Sequence, residues 1–324
     1  MQYLLQQIFP GGKSANVIMV SGAPAAKPFQ VLGSSLVPSY DCLEKTQCLA
    51  RYRYGPNGAR LDNITDWALD QFRAHYETGA PSPLAGEGGR RSRPDEGLAP
   101  DEAPKAKRGL AAKPALTVAR GGDPSSVVAD ATTPSPARGE GARVITKDAI
   151  FHYVYAVLHD PIYREKYAQN LKREFPRVPF YDDFWRWADW GERLMALHIG
   201  YESVAPWPLA RTDTPDAKAA AAGLRPKPIL RADHEHGVIV LDSETQLSGV
   251  PTEAWAYKLG NRSALEWILD QHKEKTPKDP TIREKFNTYR FADYKEKVVD
   301  LLLRVTRVSV ETMAIVEAMR TTPR

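Results

Sequence analysis

Apolar residues in the first sixty positions come in short runs, each closed by turn-forming residues. Asn16–Gly22 (NVIMVSG), Pro28–Ser35 (PFQVLGSS) and Leu49–Tyr54 (LARYRY) have strand length. The last run sets Leu49, Arg51 and Arg53 against Ala50, Tyr52 and Tyr54, then stops at Gly55-Pro56-Asn57-Gly58, so it reads as one two-faced strand. The period then changes. Across residues 61–79, Ile64, Trp67, Ala68, Phe72 and Tyr76 form a helical stripe; Asn63 or Thr65 caps it and Gly79 ends it. Residues 146–160 form a second helix, capped by Thr146 and apolar nearly all round, as a buried helix is.

Downstream the helical period continues. Asp160-Pro161 supplies a cap followed by Pro at the first helical position, opening a run with Tyr163, Tyr167 and Leu171 one turn apart. In the helix over 181–199, Phe184, Trp187, Ala188, Gly191, Leu194, Met195 and His198 share a core face. Trp185 falls off that face and is the one aromatic left for the surface; His198 reads as a hydrogen-bonded core histidine. Residues 212–227 read as a surface loop. Three short strands then suggest an antiparallel sheet: PILRAD, GVIVLD and TQLSG. Ser263 and Glu266 make a capping box for the next helix, Asp279-Pro280 opens another, and a long, largely buried helix runs from about Phe291 to Met319. The class is α+β: a β-rich N-terminal part, a helical middle, and C-terminal helices with a small antiparallel sheet.

Composition changes this picture at one place. Residues 80–143 contain nine Pro and nine Gly, while the 7 Trp, 14 Tyr and 9 Phe all lie elsewhere. A segment so poor in large apolar side chains does not repay the entropy of ordering itself, and disorder is expected. Its borders repeat one phrase: PSPLAGEGGR at Pro81–Arg90 and PSPARGEGAR at Pro134–Arg143 agree at seven of ten positions. The segment separates two helices that a short loop would join, and it reads as an insertion. Residues 1–79 and 144–324 then form one discontinuous domain around it.

The remaining composition excludes more than it assigns. A net charge of +4 over 324 residues is no signature of a strongly basic nucleic-acid binder. Cys42 and Cys48 make neither a disulfide framework nor a four-ligand zinc site. The longest apolar run, Tyr153–Leu158, is far short of a membrane span, so a soluble, cytoplasmic protein without membrane contact is expected. Gly11-Gly12-Lys13-Ser14 resembles the end of a phosphate-binding loop, but Gln7 stands where its first Gly belongs and a strand follows where a helix is needed. There is no Pro-Pro dipeptide to hold a flipped base, no zinc-deaminase signature and no G-x-S-x-G elbow. His234 and His236 read as part of a polar turn, with no third metal ligand near them. No cofactor is expected. Basic clusters occur at Arg51, Arg53 and Arg60; at Arg164, Lys166, Lys172, Arg173 and Arg177; and at Lys258, Asn261 and Arg262 around Gly260. The last lies just before a helix N-terminus, where backbone N–H groups and a fork of donors suit phosphate or a base edge.

Three long phrases carry a resemblance: Asn63–Tyr76, Ile145–Phe180 and Trp255–Met313. Together they resemble the C-terminal specificity region of the single-polypeptide type I (type ISP) restriction-modification enzymes. Those enzymes join a nuclease, a helicase-like ATPase, an adenine methyltransferase and a target-recognition region. The resemblance implies sequence-specific recognition of duplex DNA, without a catalytic centre in this chain. Lys258, Asn261 and Arg262, then Arg51 and Arg53, are the expected DNA-contacting residues. Two departures stand out: Cys48–Tyr52 (CLARY) replaces an expected aromatic-Pro pair, and the insertion breaks a helix joint. Two other roles are open: a subunit of a split enzyme working with a separately encoded methyltransferase or helicase-nuclease polypeptide, or a non-functional gene fragment.

Overall fold

The computed structural model describes residues 13–77, 143–275, 277–285 and 289–324. The expected disorder of 80–143 therefore falls outside the described residues, Arg143 excepted. Strand β1 (Lys13–Val20) is the centre of a three-stranded antiparallel sheet, between β2 (Val31–Leu36) and β3 (Gln47–Ala50). Its register pairs Val20 with Val31 and Val17 with Ala50. Both faces are covered. Ile18 and Val20 point into a helical core, while Val17 and Met19 pack with Leu43 and Ala50 on the other side, as the period-2 alternation of a strand demands. The strand starts at Lys13 itself, so no helix follows Ser14 and the phosphate-loop likeness has no structural counterpart.

The run Leu49–Tyr54 is two strands. β3 ends at Ala50, Arg51 breaks the ladder, and β4 (Tyr52–Tyr54) pairs instead with β5 (Arg60–Asp62) as a separate hairpin. Helix α1 (Asp66–Glu77) follows, capped by Thr65, whose Oγ1 accepts the Ala68 N–H (3.2 Å). Its inward residues are Leu69, Phe72 and Tyr76, whereas Trp67 is 65% exposed. The predicted stripe thus wrongly included Trp67 and missed Leu69, while Ile64, Phe72 and Tyr76 pack on the core as expected.

Helix α2 (Lys147–His159) is the core element, with nine buried residues and Thr146 accepting from the Ala149 N–H. It packs on α5 (Phe184–Ile199), whose buried face is the seven residues that the spacing predicts. Gly191 makes the approach possible, because a Cβ there would lie 1.8 Å from the His152 carbonyl oxygen. Trp185 is half-buried against Phe184, not free at the surface. The run after Asp160 is not one helix. It breaks at Tyr167 into α3 (Pro161–Lys166) and α4 (Ala168–Arg173), which bury Tyr163 and Leu171. Asp160 is fully buried and accepts the N–H groups of Ile162 and Tyr163, the Tyr181 hydroxyl (2.8 Å) and the Arg324 guanidinium.

A second sheet has the order β6-β9-β8-β7, all antiparallel. Strands β7 (Pro228–Asp233), β8 (Val238–Asp242) and β9 (Thr245–Ser248) are the predicted ones. β6 (Ala210–Asp213) and α6 (Ala217–Ala221) lie largely within the predicted loop: four exposed residues in β6 and an Ala-rich turn in α6 left no periodic signal. Helix α7 (Thr252–Ala256), hairpin β10 (Lys258–Leu259) with β11 (Arg262–Ser263), α8 (Ala264–Gln271) and α9 (Pro280–Lys285) follow. Helix α10 (Lys295–Thr321) then runs about 40 Å at 1.5 Å per residue. Its first half buries Val298, Val299, Leu302 and Val305 in the core under the second sheet, and its last turns bury Ile315 and Met319 in the α2–α5 core. Between the two, Thr306 and Ser309 donate to carbonyls four residues back and Thr312 meets His198 (3.0 Å).

Candidate nucleic-acid interface

Two hairpins project from the scaffold and carry the residues singled out in the sequence. The first is β4–β5. Its tip is closed by Gly55 N–H to Ala59 O (2.9 Å) and by the Asn57 side chain accepting the Ala59 N–H (3.1 Å). Arg51 lies at its foot and is only 5% exposed. It pairs with Asp62 (3.1 Å) and with Asp148 on α2. Arg51 is therefore not a surface cation: its charge is spent inside the protein, binding the hairpin to the helical core. The Tyr52 ring lies between two guanidinium groups, Arg51 and Arg60, each 4.3 Å from its centroid, an attractive cation–π arrangement. Lys147 adds a further tie, to Asp66 (2.6 Å) and Asp62 (3.6 Å). The hydrogen bond from Lys147 draws the Asp66 carboxyl below the usual carboxylate range.

Arg53 behaves differently. It pairs across the ladder with Leu61, on the face opposite Tyr52, and is exposed. Among the described residues it has no carboxylate partner. This hairpin therefore offers solvent Arg53, the half-exposed Tyr54, and Leu61 at 43% exposure.

The second hairpin was not foreseen as one. Its strands are two residues each, joined by Gly260-Asn261. Gly260 has φ +71, the positive angle at the first central position that a type II′ turn requires and Gly adopts without strain. Leu259 points inward and packs on the Val17/Met19 face of the first sheet. Lys258 and Asn261 point out and are exposed. Arg262 is half-committed: Nη1 meets Asp270 (2.8 Å), and the guanidinium lies 5.6 Å from the Trp267 ring centroid. The Trp267 indole N–H in turn donates to Leu259 O (3.0 Å). The capping box of α8 forms as predicted, with Ser263 and Glu266 bonding reciprocally, and fixes the hairpin's exit.

Both hairpins hang from one support. β3 leads directly into β4, and Ala50 of β3 shares its apolar cluster with Leu259 of β10. His234 and His236 lie in the β7–β8 turn, where His234 stacks on Trp255 (4.5 Å) and His236 meets Asp233 (3.0 Å). Among the described residues no group of three or more His, Cys, Asp or Glu side chains could hold a metal ion, and no helix is long and apolar enough to cross a membrane.

The described residues thus set two short, polar, cationic hairpins on a mixed α/β core. Residues 1–301 match the Type ISP C-terminal specificity domain, and the chain belongs to that family. It is 48% identical to the protein in the cryo-electron-microscopy structure of a DrdV–DNA complex, with a TM-score of 0.75; the match covers 100% of this chain and 26% of that one. A nuclease-deletion mutant of the Type ISP restriction-modification enzyme LlaGI, in complex with a DNA substrate mimic, matches at 21% identity and TM-score 0.59, over 97% of this chain and 22% of that one. The ATP-dependent Type ISP restriction-modification enzyme LlaBIII bound to DNA matches at 17% identity and TM-score 0.64, over 100% of this chain and 17% of that one. These last two similarities concern the fold. The chain thus spans about a quarter or less of these solved relatives. Comparison with curated proteins returns no match.

Proposed function

We propose that this chain is the DNA target-recognition domain of a type ISP restriction-modification system and contains no catalytic centre of its own. The observation that carries the reading is the likeness to the DrdV–DNA complex, 48% identical over 100% of the chain. Residues 1–79 and 144–324 act as one discontinuous domain. Lys258, Asn261, Arg262 and Arg53 face duplex DNA. The cations make phosphate contacts that set orientation, and the amide and guanidinium groups reach base edges. Arg51 holds the first hairpin in place from inside and does not itself touch DNA. Methylation, translocation and cleavage belong to the rest of the system, on this polypeptide or a separately encoded one, in the cytoplasm.

Fluorescence anisotropy with a randomised duplex pool tests this. Repeated selection enriches one short sequence, and log affinity falls linearly with log salt. A pool that stays random, or binding indifferent to salt, refutes the reading. Affinity capture of a methyltransferase polypeptide from the native cell distinguishes a split enzyme from a lone recognition domain. A chain that unfolds without a cooperative transition would instead be a decayed fragment.

A further inference from the structure

Arg262 differs from the other exposed cations of the two hairpins, because both its charge and its plane are held. Nη1 meets Asp270 (2.8 Å), and the guanidinium lies 5.6 Å from the Trp267 ring centroid. The two partners sit three residues apart on α8, whose start is locked by the Ser263–Glu266 box. Both are fixed in turn. The Trp267 indole N–H donates to the Leu259 carbonyl (3.0 Å), and Lys273 lies 3.3 Å from Asp270. The turn between the strands is seated as well: a Cβ at Gly260 would lie 2.8 Å from Nε2 of the buried Gln30. Arg53 and Lys258 are exposed and form no ion pair among the described residues. The clamp borders a polar groove of about 270 Å³ between β7 and α8, lined also by Arg231 and Lys273. Strand β7 bulges there, between Pro228 and Arg231, with Leu230 at φ +49; a bulge re-aims the side chains beside it.

A clamped guanidinium suits one kind of target. A phosphate is best met by uncompensated positive charge, which a free Lys or Arg supplies from many rotamers; Asp270 cancels much of that attraction and itself repels phosphate. A base edge carries no net charge and asks for a planar pair of donors at a fixed angle. Of the five guanidinium N–H groups, only one on Nη1 is bonded among the described residues, so the Nε–Nη2 edge is open. In the major groove guanine presents two acceptors side by side, N7 and O6. Adenine sets a donor beside its acceptor, thymine offers one acceptor and cytosine only donates. We propose that Arg262 reads a guanine of the recognised duplex through N7 and O6, and that Trp267 and Asp270 are positioning residues that hold its fork ready. This rests on the DNA-recognition reading above and divides its labour. A fork fixed before binding avoids the ordering cost that a free side chain meets at an interface, so the clamp favours the matching base. Arg53 and Lys258 supply attraction to the backbone.

The test uses the full chain and the duplex that selection enriches. Each guanine is replaced in turn by adenine (with its partner), by 7-deazaguanine, which lacks the N7 acceptor, or by inosine, which keeps N7 and O6. Anisotropy should find one position where adenine weakens binding about tenfold or more, 7-deazaguanine at least about threefold and inosine less than about twofold. In R262A all four duplexes bind alike. W267F and D270N each lower the preference for that guanine at least about threefold. W267F keeps the salt slope, whereas D270N binds random duplex more tightly, because Arg262 and Lys273 then present uncompensated charge. K258A does the opposite, lowering the salt slope and keeping the preference. A merely structural role for Trp267 and Asp270 would shift melting temperature and affinity for every sequence together. Should W267F melt early, D270N carries the positioning test. Equal weakening of all duplexes by R262A with a lower salt slope overturns the proposal, since Arg262 would then contact phosphate. So does a preference untouched by both W267F and D270N, or a site whose inosine duplex binds as poorly as the 7-deazaguanine one. A chain that selects a sequence yet shows none of these effects overturns this inference alone; a chain that selects none overturns the DNA reading with it.

Discussion

At the scale of single residues, the core is held by close approach and by buried polar groups rather than by bulk alone. Gly191 is the clearest instance. With a Cβ 1.8 Å from the His152 carbonyl oxygen, G191A forces α2 and α5 apart, and overpacking of this kind costs about 3 kcal/mol. A thermal melt should show a fall of roughly 6–12 °C for a chain of this size; a smaller change would mean that the helix pair yields freely. His198 supplies a second test. It is buried between the Tyr155 hydroxyl (2.5 Å) and Thr312 (3.0 Å), and burial pushes its pKa down to about 3. His159, beside it, is also driven well below its ordinary value by burial, then by His198 and Arg164. Unfolded, both return to the usual imidazole pKa of about 6.5. Below that pH the unfolded chain takes up protons that the folded chain refuses. Their stabilisation is therefore complete above about pH 6.5 and is lost as pH falls toward 3, by about 1.4 kcal/mol per pH unit for each histidine. Urea midpoints between pH 7 and 5, above the main carboxylate range, should fall steadily. H198Q should flatten part of that slope, and an unchanged slope would contradict the assignment.

At the scale of elements, the two hairpins separate structural from surface cations. R51A removes a buried guanidinium that ties β4–β5 to α2 through Asp62 and Asp148. Both carboxylates keep solvent access, so the expected loss is modest, about 1–2 kcal/mol, much of it packing. R53A should leave stability within about 0.5 kcal/mol and weaken duplex binding. K258A should lower the slope of log affinity against log salt by about 1, as the loss of one phosphate contact does. Parallel melts and anisotropy titrations check all three. If R53A unfolds the protein or R51A affects only binding, the assignment is reversed. The same contrast explains what the sequence revealed. The face of α5 was legible because seven positions repeat at one period. Arg51 was not, because its partner Asp148 is 97 residues away and a local alternation places it beside Arg53. The β10–β11 hairpin was invisible for another reason: two-residue strands have no period, and only the Gly260-Asn261 pair hinted at a turn.

At the scale of the molecule, α10 is the spine: it joins the core under the second sheet to the α2–α5 core, so neither half is complete without it. The geometry on either side of residues 78–142 supports the proposal that residues 1–79 and 144–324 form one discontinuous domain. The Ile145 N–H donates to the Glu77 Oε1 (3.4 Å), and Arg73 on α1 donates twice to the Ile145 carbonyl (2.9 and 3.2 Å). Phe72 packs edge-on against Tyr153 at 5.5 Å. Glu77 and Ile145 therefore lie close together, and the described residues on the two sides are fastened to each other directly. Closing a loop costs only (3/2)RT times the logarithm of its length. Replacing residues 78–142 with a four-residue Gly/Ser linker shortens the connection about sixteenfold and should stabilise the fold by roughly 2.5 kcal/mol on that basis. A single cooperative melt at an equal or higher temperature, with duplex affinity unchanged, is the expected outcome. A lower melting temperature would show that the excised residues pack on the domain. Intact melting with lost affinity would show that they bind DNA, and the recognition surface would then extend beyond the two hairpins.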